Sequence, residues 1–331
     1  MSDKIARRPT SSIAMCTYNG AAYVDAQLDS LLAQTCLPGQ VVIADDASTD
    51  GTIEIVEGFV ARANALGVQV NVVRHPANVG FVANFSHALE RSTGEVVFLC
   101  DQDDVWHEDK LAVMLDAFAT RPGLTLLHAD ARLVDRNLVD MGVSLFQSLQ
   151  LTRAEFELIH GGRAFDVLIR RSAATGATLA LRRELIDTAL PVREGWIHDE
   201  WLAIVASITG TVDALERPVI NYRQHGGNQI GARPRTLADR WRDLVRPRAA
   251  MFKAELDRMH ALQVWLAQRG DFQSAHSMVA RRIAHFQARL EMDRHGHWRR
   301  LPAIARQWRK GNYAHFSNGA RSAWRDFLRQ T

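Results

Sequence analysis

Over its first 135 residues the chain alternates five short apolar runs with stretches of helical periodicity. The runs are SIAMCTY (12–18), QVVIADD (40–46), VQVNVVRH (68–75), EVVFLCD (95–101) and LTLLHAD (124–130). Between them lie AAYVDAQLDSLLAQT, TIEIVEGFVARANAL, FVANFSHALERS and EDKLAVMLDAFAT, whose apolar residues fall on one helical face. Nearly continuous apolar strands separated by amphipathic helices predict a parallel sheet covered on both faces. In such sheets ligands bind outside the carboxyl ends of the strands. Three of these runs end in polar or acidic clusters, CTYNG, ADDASTDGT and CDQDD, which would converge on one edge.

The pattern loosens through RNLVDMGVSLFQSLQ, which reads as a loop. It resumes with TGATLALRRELIDTAL, a short strand entering a helix, and with WIHDEWLAIVASITG, a helix closed by Gly210. VDALERPVINYRQHGGNQIG reads as a strand pair ending in a Gly-rich loop. Beyond Arg233 the apolar residues repeat at helical spacing only, so three or four helices are expected there.

At 331 residues, 47% of them hydrophobic and 23% charged, the chain can bury a core without covalent staples. Its three cysteines, Cys16, Cys36 and Cys100, are odd in number and set in apolar sequence, which favours reduced thiols and the cytoplasm. The N-terminal MSDKIARRPTSS lacks an apolar signal core, and no window approaches a membrane span. The net charge of +3 conceals an asymmetry: from Arg233 onward 21 Lys and Arg face 8 Asp and Glu.

In FLCDQDDVW an apolar strand breaks into Asp101, Gln102, Asp103 and Asp104. Two carboxylates at i and i+2 on a strand end can share one hard divalent cation, and without a counter-charge the cluster would repel itself. The alternative is that Asp103 or Asp104 merely caps the helix beginning near Glu108.

IAMCTYNG, VVIADDASTDGT, NVGFVANFSHAL and GEVVFLCDQDDVW, in this order and spacing, resemble the N-terminal half of glycosyltransferase family 2, the inverting nucleotide-sugar transferases. TGATLALRREL, HDEWLAIVAS and YRQHGGNQIG are similar to its bacterial rhamnosyltransferase-like branch, which builds O-antigen and related surface polysaccharides. The resemblance spans about Ser12 to Gly231. It implies an α/β chain: a GT-A, Rossmann-like, mostly parallel sheet with helices on both faces over residues 9–232, and a basic, aromatic helical region over 233–331.

Carried over residue by residue, the resemblance makes Asp103 the ligand of Mg²⁺ or Mn²⁺, with Asp101 at the ribose or a metal-bound water; His225, in a Gly-rich loop after a strand, is a candidate third ligand or phosphate contact, with a purely structural histidine as the alternative. A divalent ion there would stabilise the charge that develops on a departing diphosphate. The resemblance gives Asp46 the nucleotide base and sets Thr17, Tyr18 and Asn19 beside base and ribose, with Asn78, Gly80 and Asn84 as a further nucleotide-side motif. Asn84 has helix capping as its structural alternative. Asp45 and Asp50 read as turn and cap residues, and Ala47 stands where the family has glycine, which puts the local backbone in question.

On the acceptor side, Asp199 of HDEW matches the family's general base. Glu200 replaces a tryptophan of the pattern and is the rival base, because Asp199 would also serve as a helix cap. Thr175, Gly176 and Ala177 would line the acceptor cleft together with Glu200 and Trp201, and Arg223 would pair with phosphate or with a surface carboxylate. The implied partners are a nucleotide-sugar donor and a glycan or lipid-linked acceptor. The C-terminal aromatics and arginines would meet either an anionic inner membrane surface or the catalytic domain, and no nucleic-acid motif accompanies the charge. The competing functions are an inactive nucleotide-sugar-binding homologue and a nucleotidyltransferase, although the latter's Gly-rich phosphate loop is missing.

Overall fold

A computed structural model describes residues 7–225 and 248–329. The chain divides into two compact units, the second combining residues 169–171 and 193–196 with the C-terminal region. The expected boundary at 232/233 and the glycines after His225 lie outside the described residues.

The first unit is built on one sheet. Its first four strands, β1 (Ser11–Thr17), β2 (Gln40–Asp45), β3 (Gln69–Arg74) and β4 (Val96–Cys100), lie parallel in the order β3-β2-β1-β4. The connections are α1 (Val24–Leu32), α2 (Thr52–Ala65) and α3 (Phe81–Glu90). After β4 come β5 (Val105–Trp106), α4 (Lys110–Thr120) and β6 (Leu124–Asp135). Side chains alternate across the strands, which explains their unbroken apolar sequence. Ile13, Met15, Val41, Ile43, Val96 and Phe98 join Leu28 and Leu31 of α1, Val56 and Phe59 of α2, and Leu111 and Met114 of α4 in one core. The intervening Ala14, Val42, Ala44, Val97 and Leu99 are equally buried, and α3 packs against β1 and β2.

Beyond β4 the sheet becomes mixed. Residues 136–150, expected as a loop, contain β7 (Asp140–Ser144), antiparallel to β6, and α5 (Leu145–Ser148). The capping box of Ser144 and Gln147 starts that helix. Next come α6 (Arg153–His160), α7 (Ala164–Leu168), a 3₁₀ turn at Gly176–Thr178, β8 (Leu179–Arg182), α8 (Arg183–Ala189) and α9 (His198–Thr209). Strand β8 inserts antiparallel between β4 and β6. The expected strand pair after Gly210 is a single strand, β9 (Thr211–Gln224), which runs parallel to β6 and pairs antiparallel with β5. It accommodates Pro218 through irregular register with β6 near Asp130 rather than by a turn.

The C-terminal unit holds α10 (Ala249–Ala267), α11 (Gln273–Met292), α12 (His297–Arg309), α13 (Asn312–Phe316) and α14 (Gly319–Leu328). No helix among the described residues is long and apolar enough to cross a membrane.

Candidate active site

Strands β1, β2 and β4 are parallel neighbours, with Thr17 beside Asp45 and Met15 beside Cys100, so their polar ends share one sheet edge. Gln102 spans that edge: its Oε1 accepts the Tyr18 N–H at 2.8 Å and its Nε2 donates to the Tyr18 carbonyl at 3.0 Å. Gly20 leaves room for this clasp, because a Cβ there would stand 2.2 Å from Gln102 Oε1.

The ADDASTDGT loop is held internally. Asp45 accepts from the Thr17 hydroxyl at 2.7 Å and the Ser48 N–H at 2.9 Å. Asp50 accepts the Thr52 N–H at 3.0 Å at the start of α2. Ala47 is left-handed, with φ 62°, a conformation natural to the family's glycine and strained for alanine. Asn19 accepts the Thr49 N–H at 2.8 Å, which ties the first two strand-end loops together.

Asp46 is buried, and its two oxygens accept the N–H groups of Val79 (2.6 Å) and Gly80 (2.9 Å). Gly80, with φ 84° and ψ 151°, adopts backbone that is essentially restricted to glycine. Nothing crowds the position of its absent Cβ, so conformation accounts for the glycine without a close neighbour. Asn78 stays exposed and reaches the Asp46 carbonyl at 3.5 Å.

Two residues expected on the nucleotide side use their side chains within the fold. Thr17 is buried, its hydroxyl turned onto Asp45 rather than toward a ligand. Asn84 is buried too: it donates to the Ala44 carbonyl at 2.9 Å and meets His75 Nε2 at 3.1 Å, so it fastens α3 to β2. Tyr18 and Asn19 remain exposed at the edge.

The acid run does not cap α4, which begins only at Lys110, after β5. Asp104 is fully buried; its Oδ1 accepts the Arg223 N–H at 3.0 Å, while its Oδ2 has no hydrogen-bond partner. Burial and the neighbouring Asp103 and Asp101 push the Asp104 carboxyl well above its usual range. Asp101 is pushed up to about 7 by burial, then by Asp103 and Asp199, against the opposing pull of Lys110. Asp103 Oδ2 and His225 Nε2 stand 2.8 Å apart. His225 stacks on Tyr23 with ring centres 4.6 Å apart, and Arg223 lies over the same ring. Arg223, expected to meet phosphate or a surface carboxylate, instead donates to the carbonyls of Asp103 (2.6 Å) and Arg136 (2.7 Å).

A buried cation that the motifs do not reveal, Lys110, stands near the acid run. Its ammonium is buried, donates to the Ala177 carbonyl at 2.9 Å and sits 3.5 Å from the centre of the Trp106 ring. Burial lowers its pKa to about 7 against the pull of Cys100, Asp104 and Asp101. A lone lysine at the head of an apolar helix, seven positions after Asp103, was the available signal.

Asp199 lies in the first turn of α9. Its Oδ2 accepts the Gly176 N–H at 2.9 Å and its Oδ1 the Glu200 N–H at 2.7 Å. Gly176 is buried, whereas Thr175 and Glu200 are half-buried beside it. His198, also missed, stacks on Phe85 at 4.0 Å, and burial lowers its pKa to about 3, so the ring is neutral. Trp201 does not reach the acceptor side: it is fully buried and its indole N–H donates to the Ala189 carbonyl at 2.7 Å. Residues two apart on a helix point to opposite faces, so Asp199 and Trp201 cannot line one cleft.

Among the described residues no three His, Cys, Asp or Glu side chains form a complete metal site by themselves. The chemistry of the pair nearest to such a site, one carboxylate and one imidazole, is closer to that of Mn²⁺ than of Mg²⁺. Asp103 and His225 present oxygen and nitrogen at hydrogen-bonding distance, beside carboxylates whose mutual repulsion a cation would relieve.

Residues 12–175 match the family model described as Glycosyl transferase family 2. An uncharacterized protein of Mycobacterium tuberculosis, Rv1520, is 28% identical over 254 residues, covering 75% of this chain and 68% of that one. The dTDP-rhamnosyl transferase RfbG of Shigella flexneri is 25% identical over 231 residues, covering 66% of this chain and 74% of that one. Among solved structures, S. aureus TarS 1–349 in complex with UDP-GlcNAc aligns with a TM-score of 0.58 at 17% identity, over 84% of this chain and 72% of that one, a likeness of GT-A fold.

Proposed function

Because the chain is a member of glycosyltransferase family 2 through its residues 12–175, we propose that it is an inverting, divalent-metal-dependent transferase that extends a cell-surface polysaccharide or lipid-linked glycan. The donor is a nucleotide sugar, with dTDP-rhamnose the first candidate because a relative carries that name. The carrying observation is the meeting of Asp103 with His225 at 2.8 Å, beside an Asp101 that feels the charge of Asp199.

Asp103 and His225 would hold Mg²⁺ or Mn²⁺, with Asp101 toward the ribose. When bound, the ion supplies neutralisation of the charge on the leaving diphosphate. Tyr18 and Asn19 offer the exposed edge against which base and ribose would rest, and Asp46 would share its oxygens with the base N–H. Asp199 takes the proton of the acceptor hydroxyl, its carboxylate aimed by the Gly176 N–H. Thr175, Gly176 and Glu200 border the acceptor. A cytoplasmic setting suits the three free cysteines, Cys16, Cys36 and Cys100.

The test is a donor screen by nucleotide release, with and without Mg²⁺ or Mn²⁺, across UDP-, GDP- and dTDP-sugars. Metal-dependent hydrolysis of one donor is expected. Tight binding of a donor without turnover, even with acceptor glycans supplied, would replace the reading with an inactive nucleotide-sugar-binding homologue.

A further inference from the structure

Two helices of the C-terminal unit are built inside out. On α12 the buried positions are Arg300 and Gln307, while Trp298, Leu301, Ala305 and Trp308, at helical spacing, form an exposed stripe. On α14 the buried positions are Ser322, Arg325 and Asp326, while Ala320, Trp324 and Leu328 face outward. Trp298 is 77% exposed, Trp324 62% and Trp308 53%. The two stripes meet at Phe327, whose ring centre lies 5.6 Å from that of Trp298 and 6.1 Å from that of Trp324.

Asp326, Arg300 and Gln307 are engaged in the unit's own interior. Asp326 accepts from Arg289 Nε at 2.8 Å, from the Tyr313 hydroxyl at 2.6 Å and from Arg329. Arg300 donates to the carbonyls of His295, Asp326 and Arg329. Gln307 accepts from Asn312 at 2.7 Å. The helices therefore cannot rotate their aromatics inward without stranding buried charge. A contiguous aromatic surface held outward in this way marks a contact site.

Charge identifies the occupant. Around the stripes stand the exposed Arg299, Arg306, Arg309, Lys310 and Arg321, and from Arg294 to Arg329 the one acidic residue, Asp326, is buried. A second copy of this chain would bring like charges together. Exposed tryptophans ringed by Arg and Lys match the headgroup region of an anionic bilayer, where indole rings settle and each cation adds attraction. We propose that the faces of α12 and α14 form a peripheral docking surface for anionic membrane. The inference stands independently of the glycosyl-transfer reading.

The test is co-sedimentation of the full chain with vesicles of phosphatidylcholine alone or with one third phosphatidylglycerol. Binding is expected to the anionic vesicles, to weaken with added salt, and to fall about tenfold in Trp298→Ser/Trp324→Ser and again in Arg299→Glu/Arg309→Glu. Quenching of the unmodified protein's tryptophan fluorescence by brominated lipid gives a readout that needs no variant. Failure to bind anionic vesicles, absence of quenching, or binding indifferent to the tryptophan pair would overturn the proposal. So would concentration-dependent self-association abolished by the same pair, which would make a second copy the occupant.

Discussion

The Oδ2 atom of Asp199 accepts the backbone N–H of Gly176 at 2.9 Å, so the proposed base is aimed by the turn that precedes β8 rather than by its own helix alone. Asp199→Asn is expected to lower transfer by about 10²- to 10⁴-fold with the donor KM unchanged, and Glu200→Gln by much less. An active Asp199→Asn enzyme would hand the role to Glu200. Gly176→Ala would place a Cβ 3.3 Å from His198 Nε2 and 3.4 Å from Asp199 Oδ2, so kcat should fall while donor binding persists.

Removing divalent ions with excess chelator should abolish nucleotide release, and Mn²⁺ or Mg²⁺ should restore it. His225→Ala is expected to raise the Mn²⁺ concentration for half-activation by about 10- to 100-fold, and Asp103→Asn by at least as much. An activation curve for His225→Ala that overlays the parent's would remove His225 from the site.

Lys110 is buried, and its ammonium donates to the Ala177 carbonyl at 2.9 Å. Lys110→Met strips the Ala177 carbonyl of its buried donor, a loss of about 1–3 kcal/mol of folding free energy in urea titration. Equal stability of parent and Lys110→Met would sink the assignment.

Ala47 holds φ at 62°. Ala47→Gly relieves that strain against a larger unfolded-state entropy, for a net gain of up to about 1 kcal/mol, seen as a higher urea midpoint.

Burial lowers the pKa of His128 to about 4, of His198 to about 3 and of His285 to about 4. The unfolded chain then binds more protons than the folded one below pH 6.5, so stability falls as pH drops from there toward 4, by about 1.4 kcal/mol per pH unit for each such histidine. His160, raised by Asp213 and Glu216 despite its partial burial, acts oppositely: its contribution is full below 6.5 and lost as pH rises through its folded value. Neither ring nitrogen of His128 has a hydrogen-bond partner. His128→Leu should flatten the acid slope by one histidine's worth in urea titrations at several pH values. An unchanged slope would show that His128 already carries its proton in the fold.

The first half of the fold was legible because apolar strands and helical stripes carry their period in the residues themselves. Aspartates stationed at strand ends likewise advertised the edge. Less legible was whatever depends on which face a residue ends up on. Trp201 sits two positions from Asp199, which a motif treats as adjacent and a helix turns away. Thr17 and Asn84 spend their polar atoms on neighbours that only the folded sheet supplies. Pro218 resembles a break in sequence but lies within one strand, and the aromatics of α12 and α14 would ordinarily be assigned to a core.

Asp46 grips the amides of Val79 and Gly80, where α3 begins, and two rings of that helix, Phe81 and Phe85, lie against His198, next to Asp199. A nucleobase competing for Asp46 would loosen the collar at the helix's start, and Phe81 and Phe85, in its first five residues, would carry that disturbance to the neighbour of the proposed base. One helix start thus joins the buried Asp46 to the surroundings of Asp199, so a change at either end is felt across little more than a single turn of backbone.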